Sequence, residues 1–168
     1  MTAHPRRLQL CLLRHAHAGD SETWSGPDGA RPLSAKGRAQ AARLADFLAG
    51  VAFRTDVVVS SPKLRALETA RPLAARLGLE VVVDDRLAGG GLAPGDVEAI
   101  LADRADPGRA VLVGHDPDFS DLLATLTGSE AIPMRKGALA RLDLERPLAP
   151  DAAVLRWLVP PDLLEREA

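Results

Sequence analysis

The sequence predicts an α/β protein, a three-layer α/β/α sandwich in which helices cover both faces of a central sheet. Short apolar runs alternate with segments whose apolar residues recur at helical spacing, a pattern typical of βαβ units with parallel strands. Towards the end of the chain, strict alternation predicts two antiparallel strands. The 168 residues are expected to form one domain, 1–168, with a mostly parallel sheet of about six strands and an antiparallel edge.

The first predicted strand is the run L-Q-L-C-L-L from Leu8, which ends abruptly on Arg14 and His15. The residues after Asp20 are rich in Gly, Pro, Ser and Asp, which predicts a loop. Ser34 is placed as the N-cap of a helix that Gly50 ends, because the apolar residues between them recur at helical spacing.

The remaining elements follow from short β-branched runs, caps, prolines and glycines. Ser61 and Pro62 form a cap-then-proline helix start, and Asp116 and Pro117 repeat it. The predicted strands are Asp56–Val59, Glu80–Asp85, Ala110–Gly114 and the hairpin Ala138–Leu144 with Ala153–Val159, and the predicted helices are Lys63–Leu77, about Pro94–Ala105 and Pro117 to about Leu126.

Composition excludes several function classes. A formal net charge of −2 provides no electrostatic footprint for nucleic acid or an anionic membrane surface. The N-terminal apolar run is too short for a signal sequence or a spanning helix, so neither is expected. With Cys11 as the single cysteine, no internal disulfide can form, which fits a reducing cytoplasm.

The carboxyl ends of parallel strands meet at one edge of a sheet, where ligands of α/β proteins bind. The pairs that follow the four predicted parallel strands are therefore expected there, together with Arg65 from the first turn of the second helix. These pairs are Arg14-His15, Ser60-Ser61, Asp84-Asp85 and Gly114-His115.

Two arginines, two histidines and helix N-termini at one edge predict an anion site, and guanidinium groups suit phosphoryl oxygens. Positive neighbours disfavour imidazolium, so His15 is expected to be neutral and able to attack phosphorus. His115 would donate to the phosphoryl oxygens, while Arg14 and Arg65 would bind them. Neither a metal nor another cofactor is required by this chemistry.

Four segments resemble the histidine phosphatase superfamily, and specifically its short, SixA-like phosphohistidine phosphatase branch. They are L-L-R-H-A-H-A-G, R-P-L-S-A-K-G-R-A-Q-A, S-S-P-K-L-R-A-L-E-T-A and V-L-V-G-H-D-P, in order along the chain. The resemblance implies a phosphoglycerate mutase-like fold and a metal-independent phosphatase. It also implies that His15 becomes phosphorylated, that Arg14 and Arg65 clamp the phosphate and that His115 completes the pocket.

Two departures from the family pattern bear on the substrate. Ala16 replaces the Gly that commonly follows the histidine, a variant typical of the short branch. The inserted segment that carries a proton-donating Glu in larger members is not evident, so Asp85 is the remaining candidate for a general acid. Imidazole leaves more easily than an alkoxide, which favours phosphohistidine on a protein over a small phosphorylated metabolite, the alternative substrate. His17 is a candidate for lining the cleft.

Other classes stay open. His15-Ala16-His17 with Asp20 resembles an H-x-H metal signature, although Arg14 would oppose a cation there. A Ser-His-Asp hydrolase is disfavoured because no strand is followed by a G-x-S-x-G elbow. A non-catalytic phosphate-binding module would use the same pocket. The sequence predicts no oligomeric state.

Overall fold

The computed structural model describes residues 6–165, and residues 1–5 and 166–168 lie outside the described part of the chain. Six strands and four α-helices alternate along most of the chain. Their bounds, in order, are β1 Arg6–Arg14, α1 Ala35–Gly50, β2 Val57–Ser60, α2 Leu64–Arg76, β3 Val81–Val83, α3 Pro94–Ala102, β4 Arg109–Gly114, α4 Asp118–Thr127, β5 Leu139–Arg146 and β6 Val154–Val159.

The sheet has the strand order β3-β2-β4-β1-β5-β6. The first four of these strands are parallel, and β5 and β6 run antiparallel at one edge. The predicted six-strand sheet with an antiparallel edge is therefore confirmed. β1 and β4 are neighbours, so their carboxyl ends are adjacent, as a site shared between Arg14-His15 and His115 requires.

Strand alternation divides the core into two layers. Leu8, Leu10 and Leu12 of β1 pack with residues of α3 and α4 on one face of the sheet. Cys11 and Leu13 point to the opposite face, against α1 and α2. Because successive side chains of a strand point to opposite faces, this pattern produces the predicted three layers.

Several predicted boundaries were wrong, and local hydrogen bonds explain the differences. The third strand stops at Val83, because the Asp84 side chain turns back to accept the Arg86 backbone N–H and opens a 3₁₀ turn. The α3 helix ends at Ala102, three residues before the predicted Ala105, whose φ of +58° is left-handed.

The helix caps were predicted with mixed success. Ser34 caps α1 as predicted, with its side chain accepting the Gly37 N–H. Ser61 is not the N-cap of α2, because Lys63 holds that position. Pro117, rather than Asp116, is the N-cap of α4, although the Asp116 carboxylate accepts the Ser120 N–H.

Within residues 6–165, no helix is both long and apolar enough to span a membrane. The expectation that the chain lacks a targeting segment also involves residues 1–5, which lie outside the described part. Cys11 is buried, and this burial raises the pKa of its thiol to about 12. The thiol is therefore protonated and serves as a small apolar core group.

Candidate active site

The ends of β1 and β4 bring two histidines into one site. Arg14 and Gly114 are register partners, and the backbone N–H of His15 donates to the Gly114 carbonyl at 2.9 Å. The rings of His15 and His115 lie with centroids 5.2 Å apart and planes tilted by 54°. Both residues are buried. The predicted convergence of these two strand ends therefore produces a compact pair of imidazoles.

His15 is oriented with one ring nitrogen free for chemistry. Its Nδ1 lies 2.8 Å from the Ala16 carbonyl oxygen, which can only accept a hydrogen bond. We therefore assign the proton to Nδ1, and the lone pair belongs to Nε2. Burial, together with the charges of Arg65 and Arg14, lowers the pKa of His15 to about 4. The ring is neutral at pH 7, as a nitrogen nucleophile must be.

The loop after His15 is held by α1 and α2. The Thr69 hydroxyl of α2 accepts the Ala16 N–H at 3.0 Å and donates to the Arg65 carbonyl. Gly37 of α1 approaches the same loop so closely that a Cβ atom there would lie 1.9 Å from the His17 carbonyl oxygen. Both helices therefore fix the backbone that orients the His15 ring.

His115 is positioned by a serine that the sequence had placed as a helix cap. The Ser61 hydroxyl lies 2.7 Å from His115 Nε2 and accepts the Lys63 backbone N–H at 3.2 Å. A hydroxyl that donates to Nε2 leaves the proton of the neutral ring on Nδ1. Burial and the proximity of His15 and Arg65 lower the pKa of His115 to about 3, so the ring is neutral.

The two predicted phosphate clamps are each held at the outer end of the guanidinium. Arg14 donates from Nη1 to the Met134 carbonyl at 2.6 Å and pairs with Asp116 at 3.2 Å. Arg65 donates from Nη1 to the Asp28 carbonyl at 2.8 Å and pairs with the Asp28 carboxylate at 2.9 Å. These contacts restrict both guanidinium groups before any ligand binds.

Three buried donors around His15 have no hydrogen-bond partner among the described residues. They are Nε of Arg14, Nε of Arg65 and Nδ1 of His115. Arg43 and Arg104 also have an unpartnered Nε, but each forms an ion pair with a carboxylate outside this site, Glu165 and Asp84 respectively. An unpaired buried donor is destabilising, so an acceptor with several oxygens would be bound favourably here.

The acidic pair after the third strand does not join this site. Asp84 is paired with Arg86 and Arg104, and these contacts, led by the hydrogen bond from Arg86, lower the pKa of its carboxyl. Asp85, the candidate general acid, is exposed at the start of a 3₁₀ turn. Since β3 is three strands from β1, roughly 14 Å separates their ends.

His17 contacts the first turn of α1. Its Nδ1 lies 2.7 Å from the Ser34 hydroxyl, and its backbone N–H donates to the Gln40 side chain. The side chain is half-buried, and it forms no hydrogen bond with His15 or His115 among the described residues. The structure therefore gives His17 a role in joining the catalytic loop to α1.

Four residues beyond the predicted two arginines and two histidines also contribute to the site. Ser61, Asp28, Asp116 and Lys136 all lie next to the predicted four. Asp28 begins a short 3₁₀ turn and Lys136 lies in a loop, and neither has a periodicity that indicates which side chains face a cleft. A signal for Ser61 was present, because it follows a parallel strand at the edge where the site forms.

Two further features bear on the alternatives. Among residues 6–165, no three His, Cys, Asp or Glu side chains converge in a group that could hold a metal ion. A separate cavity of about 560 Å³ lies around the opposite end of β1 and β4 and includes Gln9, Phe53, Arg109 and Trp157. That cavity contains none of the predicted site residues.

The sequence model of the histidine phosphatase superfamily (branch 1) matches residues 10–128, which span both histidines and both arginines. The chain belongs to this superfamily. Membership supports phosphatase activity. An uncharacterized relative of this histidine phosphatase occurs in Picosynechococcus sp. (strain PCC 7002) and is 36% identical over 121 residues, covering 68% of this chain and 70% of that one.

Solved structures place this histidine phosphatase close to the SixA-like branch. The tungstate complex of the protein histidine phosphatase SixA is 26% identical with a TM-score of 0.79, covering 94% of this chain and 100% of that one. A candidate phosphohistidine phosphatase SixA of Nakamurella multipartitia is 27% identical with a TM-score of 0.69, covering 93% and 98%. The predicted resemblance to the superfamily and to its short branch is thus confirmed.

Proposed function

We propose that this protein is a metal-independent phosphatase that forms a covalent phosphohistidine intermediate on His15 and acts on phosphohistidine carried by a protein. The observation that carries the proposal is the group of three unpartnered donors around a neutral imidazole. A phosphoryl group has three oxygens that can accept from Arg14 Nε, Arg65 Nε and His115 Nδ1. Its phosphorus would then face the lone pair of His15 Nε2.

In the first step, His15 Nε2 attacks phosphorus and the bond between phosphorus and the substrate nitrogen breaks, so that the substrate ring, protonated on its other nitrogen, leaves as neutral imidazole. Negative charge on the equatorial oxygens is stabilised by the two guanidinium groups and by the Nδ1–H of His115. The Ala16 carbonyl, which accepts from Nδ1 of His15, stabilises the positive charge that this ring gains as it becomes phosphorylated.

In the second step, water attacks the phosphorus of phosphorylated His15. The bond from phosphorus to Nε2 breaks, inorganic phosphate leaves, and the ring returns to its neutral form. The low pKa of His15, about 4, favours this return because the departing ring is a weak base. The same four residues therefore serve both steps.

The carboxyl groups beside the clamp arginines are engaged in ion pairs, which favours a substrate with a good leaving group. Asp28 and Asp116 are partners of Arg65 and Arg14, and contacts led by the Arg65 hydrogen bond lower the pKa of Asp28. An ionised carboxylate cannot supply a proton to an alkoxide. An imidazole needs less assistance, since its reference pKa is near neutrality.

The test is a comparison of kcat/KM for a phosphohistidine peptide and for a panel of sugar and nucleotide phosphates. We expect the peptide to be preferred by about 10²-fold or more, in line with its better leaving group. His15→Ala protein serves as the control for contaminating phosphatases. A preference for a phosphate ester would replace the proposed substrate with a small metabolite, and phosphate binding without turnover would identify a binding module.

A further inference from the structure

Hydrogen bonds of the neighbouring backbone hold Lys136 close to His15. The N–H of the next residue, Gly137, donates to the carbonyl oxygens of both Arg14 and His15, at 3.1 and 3.0 Å. Two residues before Lys136, the Met134 carbonyl accepts from the Arg14 guanidinium. The segment 134–137 is therefore fixed against the carboxyl end of β1, with Lys136 at its centre.

The ammonium group of Lys136 is surrounded by other positive charges. Burial, followed by the charges of Arg14, Arg31 and Arg65, lowers the pKa of Lys136, while Asp20 acts in the opposite direction. Within the described residues, no carboxylate forms an ion pair with Lys136, as Asp116 and Asp28 do with their arginines. A half-buried cation in this setting destabilises the free protein unless an anion neutralises it.

The carboxylates of the site offset only part of its positive charge. Asp116 offsets the charge of Arg14, Asp28 is shared between Arg65 and Arg31, and Lys136 has no carboxylate partner among the described residues. The two imidazoles are neutral, with pKa values of about 4 and about 3. A phosphoryl group brings close to two negative charges into this pocket, so an uncompensated cation is required for electrostatic complementarity.

We propose that the ε-ammonium of Lys136 binds an oxygen of the same phosphoryl group that Arg14 and Arg65 hold. Lys136 is then a phosphoryl-binding residue of this chain in addition to the four identified from the sequence. The flexible side chain acts as a point charge and can follow the phosphoryl group between substrate and intermediate. The inference rests on the proposed function only in taking the bound anion to be a phosphoryl group.

The test measures binding of inorganic phosphate to Lys136→Met by isothermal titration calorimetry. We expect affinity to fall about tenfold or more, the usual effect of losing a charged hydrogen bond to a ligand. Lys136→Arg, which keeps the charge, should recover most of the lost affinity. Arg135→Met is the matched control, because Arg135 is the adjacent cation and is exposed in a surface pair with Asp162.

Thermal unfolding of each variant shows whether it is folded before its affinity is compared. Phosphate affinity that changes by less than about twofold in Lys136→Met would overturn the inference. So would unchanged phosphate binding with a raised KM for a phosphohistidine peptide, because Lys136 would then contact another part of the substrate. If wild-type protein binds phosphate through Lys136 but hydrolyses no substrate, the proposed function fails and the inference stands.

Discussion

A buried arginine side chain from another element lies near each end of β1, and the two side chains have different partners. At the amino end, Arg146 lies opposite Arg6 and is fully engaged by carboxylates, with Nε and Nη2 donating to Glu98 and Nη1 donating to Asp106. At the carboxyl end, Arg65 is equally buried, yet it has one carboxylate partner, the exposed Asp28, and its Nε has none. Arg146 and Arg65 are therefore buried to a similar extent, but carboxylates neutralise Arg146 more completely than Arg65.

This difference suits Arg146 to stabilising the fold and Arg65 to binding a ligand. A buried charge is tolerated when carboxylates bind every nitrogen of the guanidinium, as they do for Arg146. A site that must bind and release an anion cannot fill its donors permanently with carboxylates. The unsatisfied donors therefore support our proposal that the anion binds at the carboxyl end of β1, and substitutions at the two ends test this comparison.

The largest effect is expected from Arg65→Met. Loss of this guanidinium removes stabilisation of the transferring phosphoryl group, so kcat/KM should fall by about 10³-fold. Its partner Asp28 is exposed and can be hydrated, so the free energy of unfolding should change by less than about 1 kcal/mol. Steady-state kinetics and urea denaturation measure the two quantities. Activity within tenfold of wild type would remove Arg65 from the site.

The reverse pattern is expected from Arg146→Met. This change leaves Glu98 without its arginine partner, while Asp106 keeps Arg6, so the free energy of unfolding should fall by about 3 kcal/mol. The kcat/KM of the folded protein should remain unchanged, because the substitution lies at the opposite end of β1. Denaturation and active-site titration give these values. A stable variant with impaired turnover would show that the two ends are not separable in this way.

A smaller effect is expected from Ser61→Ala, which removes the hydroxyl that lies against Nε2 of the neutral His115 ring. The Ser61 hydroxyl stabilises the tautomer of His115 that carries its proton on Nδ1. Without it, less of the ring can donate from Nδ1 to the phosphoryl group, and kcat should fall about tenfold. The control is Ser60→Ala, because the Ser60 hydroxyl is equally buried but donates to the Ser61 carbonyl. Nitrogen chemical shifts of His115 report its tautomer. Unchanged shifts in Ser61→Ala would contradict the assignment.

The last comparison of the two ends concerns the pH dependence of stability. Because burial depresses the pKa of His15 and His115 from 6.5 to about 4 and about 3, the unfolded chain binds more protons than the folded one in this window. Stability should fall as pH drops from 6.5 towards 4, by up to about 1.4 kcal/mol per pH unit for each histidine.

The amino end of β1 titrates in a different window. Despite the opposing effect of burial, hydrogen bonds from Arg146 and Leu148 lower the pKa of Glu98. Its stabilising contribution is therefore present above the ordinary carboxyl pKa of 4.5 and is lost at lower pH. His115→Gln should reduce the slope between pH 6.5 and 4.5, where the carboxylate does not contribute, while part of the loss below pH 4.5 remains because Glu98 titrates there. An unchanged slope above pH 4.5 would show that the histidine is not buried as described.

The convergence of Arg14, His15 and His115 could be predicted from the sequence, because the carboxyl ends of parallel strands lie at a common edge regardless of the loop conformations. Arg65 followed from its place in the first turn after the second strand. Lys136 and Asp28 could not be predicted, since they come from a loop and a short 3₁₀ turn whose paths depend on tertiary hydrogen bonds.

The third strand shows the limit of the same argument. Its end lies at the common edge, as expected, but β3 is the outermost strand, so Asp85 is far from β1 along that edge. Strand order is a tertiary property, and neither hydrophobic pattern nor turn residues reveal it.

The most direct test of the account is to trap the intermediate. Protein mixed with a phosphohistidine peptide, quenched with base within milliseconds and digested, should yield a peptide phosphorylated on His15 through Nε2, since phosphohistidine is stable in base and labile in acid. His15→Ala protein should yield none. Phosphate on a different residue, or turnover with no phosphorylated enzyme and direct transfer to water, would contradict the assignment of His15 as the nucleophile.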